Sequence, residues 1–251
     1  MTQIHTAMSH ASYRSFLLLA AIAATLTASM SGCMKEDSSD TGTGAGSVTD
    51  ADGNIYRTVM IGNQEWMAEN LRTTRYSDGT PIENPGADNP AWATNRNGAY
   101  SWYGNDKDSF GKKYGGLYNW HAVNTGKLCP AGWRVPSDEE WTKVNRHLAV
   151  NAGGRMKAAG TSEWDGANPD AANDTGFDAL PGGVRVHSLS GMITSASGGF
   201  FFHEGRTGRW WTSCASSSAN ALHRSIHAGS GSIFRSHSPK GNGYSVRCIR
   251  E

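Results

Sequence analysis

Charge is scarce in this chain of 251 residues: 18% of the side chains are Asp, Glu, Lys or Arg, and the two signs nearly cancel to +1. That low fraction, beside 31 glycines, argues against a coiled coil or a long-helix protein. The near-neutral balance leaves no electrostatic footprint for nucleic acid. No segment recurs with a period of about 20–50 residues, which argues against a solenoid or propeller. There is no His-Glu-x-x-His pair for a zinc protease and no Gly-x-Ser-x-Gly elbow for a hydrolase. What is present is aromatic. Nine tryptophans within a 10% aromatic content argue against wholesale disorder. The composition describes a loop-rich, aromatic-rich globular protein long enough to bury a sizeable core.

The apolar run Phe16–Ala28 is 13 residues, too short for a membrane span and right for the core of a signal peptide, with Arg14 before it. It ends in Ser29-Met-Ser-Gly-Cys33, which resembles a bacterial lipobox. Residues 1–32 then form a lipoprotein signal peptide and Cys33 carries the lipid; the alternative is an ordinary secretory signal in which Cys33 is incidental. Two or more acyl chains give stable anchoring where one is marginal. Residues 33–48 comprise the acylated cysteine and a polar Gly/Ser/Thr tether. Lys35-Glu-Asp37, directly after the lipid site, resembles the export signal of surface lipoproteins. The expected location is the bacterial cell envelope, lipid-anchored in the outer membrane and exposed at the surface.

Residues 49–251 are the folded part. Ile55–Ile61 is a β-branched run that turns through Gly62-Asn63 into Gln64–Leu71, which predicts a hairpin. Residues 77–98, rich in Pro, Gly, Asn and Asp, read as a long surface loop. Tyr100, Trp102 and Tyr103 suggest a short strand, and Tyr118–Val123 a short helix packing Trp120 inward. The sharpest local signal is Ser137 with Glu140, a capping box, followed by Trp141, Val144 and Leu148 on one helical face. Gly153-Gly154 is expected to stop that helix. Gly198–His203 reads as a buried strand, and Tyr244–Arg250 as a final strand with Tyr244, Val246 and Cys248 on one face. Two helices among many short strands and long loops make an α+β domain.

With Cys33 acylated, Cys129, Cys214 and Cys248 remain in an exported chain, so at most one disulfide and one free thiol are expected. Pairing Cys129 with Cys248 would close a loop of about 120 residues and contribute roughly 4–5 kcal/mol in the chain-entropy account. Cys214 would then be the spare, a residue type more often a small buried hydrophobe than a nucleophile.

Five motifs occur in order: Ile61-Gly-Asn-Gln-Glu-Trp-Met-Ala-Glu-Asn-Leu71, Gly116-Leu-Tyr-Asn-Trp120, Cys129-Pro-Ala-Gly-Trp-Arg-Val-Pro-Ser-Asp-Glu-Glu-Trp141, Gly176-Phe-Asp-Ala-Leu-Pro-Gly-Gly183 and Tyr244-Ser-Val-Arg-Cys248. Together they resemble the Fibrobacter succinogenes major paralogous domain (FISUMP) family, whose members are mostly bacterial lipoproteins or secreted proteins of undetermined activity. More distantly, the third and fifth motifs resemble the C-type-lectin-like fold of the formylglycine-generating enzyme superfamily. That resemblance implies two helices flanking a twisted antiparallel sheet with long irregular loops, and it supports the Cys129–Cys248 staple.

The function implied is a membrane-anchored, surface-exposed lipoprotein acting as a binding or structural module for an extracellular glycan or protein. The alternative is a divergent enzyme of the formylglycine-generating oxidase superfamily. That chemistry needs a reactive, copper-binding cysteine pair near the C-terminus, and a Cys129–Cys248 bridge would leave Cys214 alone. No catalytic constellation emerges. His5 and His10 leave with the signal peptide, and His121, His147, His187, His203, His223, His227 and His237 form no ligand pattern; His223 and His227 read as surface residues. Calcium is the better cofactor candidate, because Asp165, Asn168, Asp170, Asn173, Asp174 and Asp178 gather in one loop. The competing reading is a run of Asx turns. Glu83-Asn-Pro85 looks like the sugar-coordinating triplet of calcium-dependent lectins but lies too early in the chain for that fold. Trp164, Trp210 and Trp211 are the candidates for a ligand-stacking platform, against the ordinary role of tryptophan as core.

Overall fold

The computed structural model describes residues 46–160, 162–166, 168, 171–188 and 198–251. The expected signal peptide, Cys33 and the Lys35-Glu-Asp37 signal lie outside the described residues. The chain enters through β1 (Ser47–Thr49), which pairs antiparallel with β2 (Ile55–Ile61), so Ser47 and Val48 belong to the sheet and not to the tether. Asp50 closes the intervening turn: its carboxylate accepts the backbone N–H groups of Asp52 and Asn54 and the Tyr56 hydroxyl. The predicted hairpin follows, with Gly62 at φ +64° and β3 (Gln64–Met67) returning so that Gln64 faces Ile61.

The stretch after residue 77 is not all loop. Asp88 caps a short helix, α1 (Asn89–Thr94), by accepting from the Ala91 N–H, and the helix buries Trp92. Turn-forming residues hid this one apolar anchor. Next come β4 (Tyr100–Ser101), α2 (Lys112–Tyr114), β5 (Leu117–Asn119) and α3 (Trp120–Val123), the last with Trp120 inward as predicted. After β6 (Trp133–Arg134), α4 (Asp138–Leu148) carries the predicted capping box. Ser137 Oγ accepts from the Glu140 N–H at 3.3 Å, and the Glu140 carboxylate accepts from the Ser137 N–H at 2.7 Å. Trp141, Val144 and Leu148 are buried.

Gly153 and Gly154 do not stop that helix. The chain leaves it at Ala149 and starts α5 (Ala152–Met156), which contains both glycines. Gly153 is needed for close approach: a Cβ there would lie 2.6 Å from the Ser232 carbonyl oxygen. Then follow β7 (Gly182–Val186), β8 (Phe200–Glu204), β9 (Thr207–Ala215), β10 (Asn220–His227), β11 (Phe234–Pro239), β12 (Gly243–Tyr244) and β13 (Ile249–Arg250). β8 is the expected strand but not a buried one: Phe202 is 41% exposed. It ends its sheet, so only β7 flanks it.

The fold is mixed α and β, with few helices and three sheets ordered β1-β2-β3-β13-β6, β11-β10-β9 and β4-β5-β12-β7-β8. All the named strand pairs are antiparallel. The two expected helices are present as α3 and α4, with further short helices beside them; among the described residues only α4 exceeds six residues. Alternation along the strands feeds two apolar cores. Met67, Trp211 and Cys248 enter one, beside Tyr118 and Tyr244; their neighbours Trp66, Trp210 and Ile249 enter the other, beside Trp141 and Phe177.

Candidate functional site

Three of the recognised motifs meet at one buried guanidinium. Arg247 Nε donates to Asn70 Oδ1 at 2.8 Å, and its two Nη groups donate to the carbonyl oxygens of Ala68, Phe177 and Asp178. The Phe177 ring lies 4.0 Å from its central carbon. Asn70 adds further ties: Oδ1 also accepts from Trp210 Nε1, and Nδ2 donates to the Tyr114 carbonyl. Burial without a carboxylate partner lowers the Arg247 pKa to about 9, so it stays charged at neutral pH. The disulfide joins Cys129 to Cys248 next door, across a separation of 119 residues. Among the described residues Cys214 is the free thiol, half-buried, and accepts the Asp138 N–H at the start of α4 at 3.4 Å. These motif side chains are occupied in holding elements together.

The expected stacking platform is not formed. Trp164 is 1% exposed and Trp210 and Trp211 are fully buried, their indole N–H groups donating to Ala179 O, Asn70 Oδ1 and Tyr118 O. A buried indole with its one donor satisfied offers no face to a ligand. Nor are the candidate calcium oxygens brought together. Asp165 pairs with Arg206, Asn168 accepts the buried Lys157 ammonium, and Asp174 pairs with Arg155. Asn173 and Asp178 bond each other, while Asp170 lies outside the described residues. Among the described residues no group of three His, Cys, Asp or Glu side chains converges as a metal site. Glu83 is engaged by the Asn95 side-chain amide.

His223 and His227 share a strand face, not a helix face, and His223 is not at the surface. It is 3% exposed, its Nε2 stands 3.1 Å from Ser238 Oγ, and burial lowers its pKa to about 4. His227, at the far end of β10, is half-buried, with Thr207 Oγ1 3.3 Å from Nδ1 and Ser225 Oγ 3.0 Å from Nε2.

Two open hollows are large enough for a small ligand. One, of about 650 Å³, is lined by Asp52, Asn54, Arg72, Thr74, Trp102, Lys107, Asp108 and Lys112. Several of its polar groups are used: Asp52 accepts from Thr74 and pairs with Arg75, and Arg72 covers Tyr56 and donates to Ile55 O, while Lys107 and Lys112 line it without an ion pair among the described residues. The second, of about 520 Å³, is lined by Asp165, His203, Arg206, Thr207, Arg209 and His227. The β9–β10 register builds it, placing Thr207 opposite His227 and Arg209 opposite Ser225. Among the described residues Arg209 has no carboxylate partner; its one hydrogen bond runs from Nη1 to the Tyr244 hydroxyl at 3.4 Å, and its buried Nε has no partner. Among the described residues the one carboxylate lining this hollow, Asp165, sits at 3.3 Å from Arg206 in an exposed pair, which is weak. His203, at the β8–β9 turn, holds φ +66°, a conformation strained for a histidine.

Sequence reasoning named His203 and His227 but missed Arg206, Thr207 and Arg209. The available signal was the alternation of Thr207, Arg209 and Trp211 on one strand face.

The profile of the family described as the Fibrobacter succinogenes major domain matches residues 59–250. No curated protein and no solved structure matches the chain.

Proposed function

We propose, from the premise that this chain belongs to the Fibrobacter succinogenes major domain family, that it is a lipid-anchored binding module displayed on the cell surface and not an enzyme. The observation that carries this reading is the division of labour among its polar groups. The motif residues Asn70, Ser137, Glu140 and Arg247 are spent on struts and caps, whereas Arg209, which lines the β9–β10 hollow, has no carboxylate partner among the described residues. A fold specified by internal struts with its unpaired cation at an open hollow suits recognition. Cys248 lies in the disulfide, so Cys214 has no thiol partner among the described residues for copper-type oxidation. We read the fold, at finer grain, as C-type-lectin-like. In support, a capped helix follows a segment stapled to the C-terminal strand, and irregular loops surround antiparallel sheets. Calcium is not part of the proposed recognition, since the described oxygens of the Asx-rich loop already have protein partners.

Mass mapping of the protein from its own envelope, with thiols alkylated before reduction, tests the anchor, and protease shaving of intact cells tests the display. The expected result is acylated Cys33, one alkylated Cys214 and loss of the domain on shaving. An unmodified Cys33, or a domain untouched by external protease, overturns anchoring or display. Copper-dependent thiol oxidation by the purified protein overturns the non-enzymatic reading.

A further inference from the structure

We propose that the β9–β10 hollow is a subsite for an acidic sugar, one bearing a carboxylate or a sulfate ester, whose oxyanion is held by Arg209. This rests on the binding-module reading and names the ligand class that module takes.

The charge argument comes first. Arg209 lines the hollow with no carboxylate partner among the described residues; its unbonded Nε is buried, so the donors it offers a ligand are those of its Nη groups. A planar guanidinium with free donors matches the paired oxygens of a carboxylate or sulfate.

The surroundings reinforce the sign. His203 and Arg206 come from the β8–β9 turn, His227 from β10, and Lys157, just after α5, contributes to the positive potential at His227. Against these cations the one carboxylate lining the hollow is Asp165, already beside Arg206. Burial and the Arg209 charge push the His203 and His227 pKa values down, so both imidazoles are neutral at pH 7.5 and take up protons as the pH falls. An oxyanion bound among them favours the protonated forms. The Thr207 hydroxyl lines the hollow beside His227 Nδ1, at 3.3 Å.

The preference for a sugar comes from an aromatic packed against His227. Phe234 is 44% exposed and its ring stands 4.9 Å from that of His227, edge to face. An exposed aromatic face beside a cationic hollow suits a pyranose ring, whose C–H face packs on the aromatic while its acidic substituent reaches the cation. The volume, about 520 Å³, lies in the range of small-molecule sites.

The test is calorimetric titration of the full chain, purified in detergent, with glucuronate, glucose 6-sulfate and glucose at low ionic strength, at pH 7.5 and 5.5. The expected result is at least tenfold tighter binding of one or both acidic sugars than of glucose, strengthening severalfold at pH 5.5. Comparison of the two acidic sugars separates a carboxylate site from a sulfate site. Arg209→Ala should weaken binding tenfold or more, while Arg146→Ala, on the exposed face of α4, leaves it unchanged. Should Arg209→Ala fail to fold, His203→Asn, which tolerates the same backbone conformation, should abolish the pH dependence attributed to that ring while preserving the melting profile. Equal affinity for glucose and both acidic sugars, or an unchanged Kd in folded Arg209→Ala, overturns the subsite. Glycans bound with Arg209 dispensable would leave the module reading intact and remove this site. A folded wild-type chain that binds neither these sugars nor any member of a broad glycan and protein panel would remove both.

Discussion

Arg247 and Arg209 carry the same charge on the same side chain, and each lies close to Trp210, yet the fold treats them in opposite ways. Arg247 is wholly enclosed and gives its donors to one amide oxygen and three carbonyl oxygens from distant segments. Arg209 lines an open hollow, makes one long hydrogen bond to a tyrosine hydroxyl and leaves Nε unbonded. The first is a strut whose value lies in satisfying backbone groups that burial would otherwise strand. The second keeps donors in reserve. A buried cation is therefore no pointer to function by itself; what discriminates is whether its donors are consumed.

The most severe test of that comparison is Arg247→Met. It strands three carbonyl oxygens, since Asn70 Oδ1 keeps the Trp210 indole, at about 1–3 kcal/mol each, so stability should fall by about 3–9 kcal/mol, enough to leave little folded protein. Arg209→Ala, by contrast, should move stability by no more than about 1 kcal/mol. Denaturant titration of both variants measures the gap, and equal losses would erase the distinction between strut and site.

Removing the Cys129–Cys248 bridge by a double serine substitution should cost about 4 kcal/mol, because the closed loop is long. The loss should appear as a lower urea midpoint with the anion hollow still formed in whatever protein remains folded.

A third prediction uses the two ends of the same strand. His223 is neutral in the fold down to about pH 4, whereas an unfolded histidine takes its proton near pH 6.5. Between those values the unfolded chain binds more protons, so stability is fully present above about pH 6.5 and declines as the pH falls toward 4, by up to about 3 kcal/mol. His227 and His203 push in the same direction. His223→Phe should flatten most of the slope seen in thermal melts across that window, and an unchanged slope would assign it elsewhere. The smallest effect expected is that of Ser137→Ala, about 1 kcal/mol from loss of the cap, read by the same melts.

Much of the frame was legible in the residues. The hairpin at Gly62-Asn63, the capping box at Ser137 and Glu140, and the inward Trp120 rest on short-range patterns with a local physical cause. The Gly153-Gly154 stop failed because those glycines answer a contact with backbone far along the chain, at Gly231 and Ser232, which no local rule encodes. β8 misled for a related reason: three consecutive phenylalanines read as buried, but an edge position leaves them partly open. The candidate site was the least legible. Trp164 in a polar loop is core, while alternation put Arg209 on one strand face with Thr207 and Trp211 but not at the hollow it lines.

Residue type and near spacing were enough for the local turns and caps, for the alternation that sends neighbouring residues to opposite faces, and for the family, because each has a short-range cause or signature. Which polar groups would be used up was settled only in the assembled fold. That outcome depends on the register between β9 and β10 and on carbonyls delivered from distant segments, so one arginine became a strut and another was left lining a hollow without a carboxylate partner among the described residues.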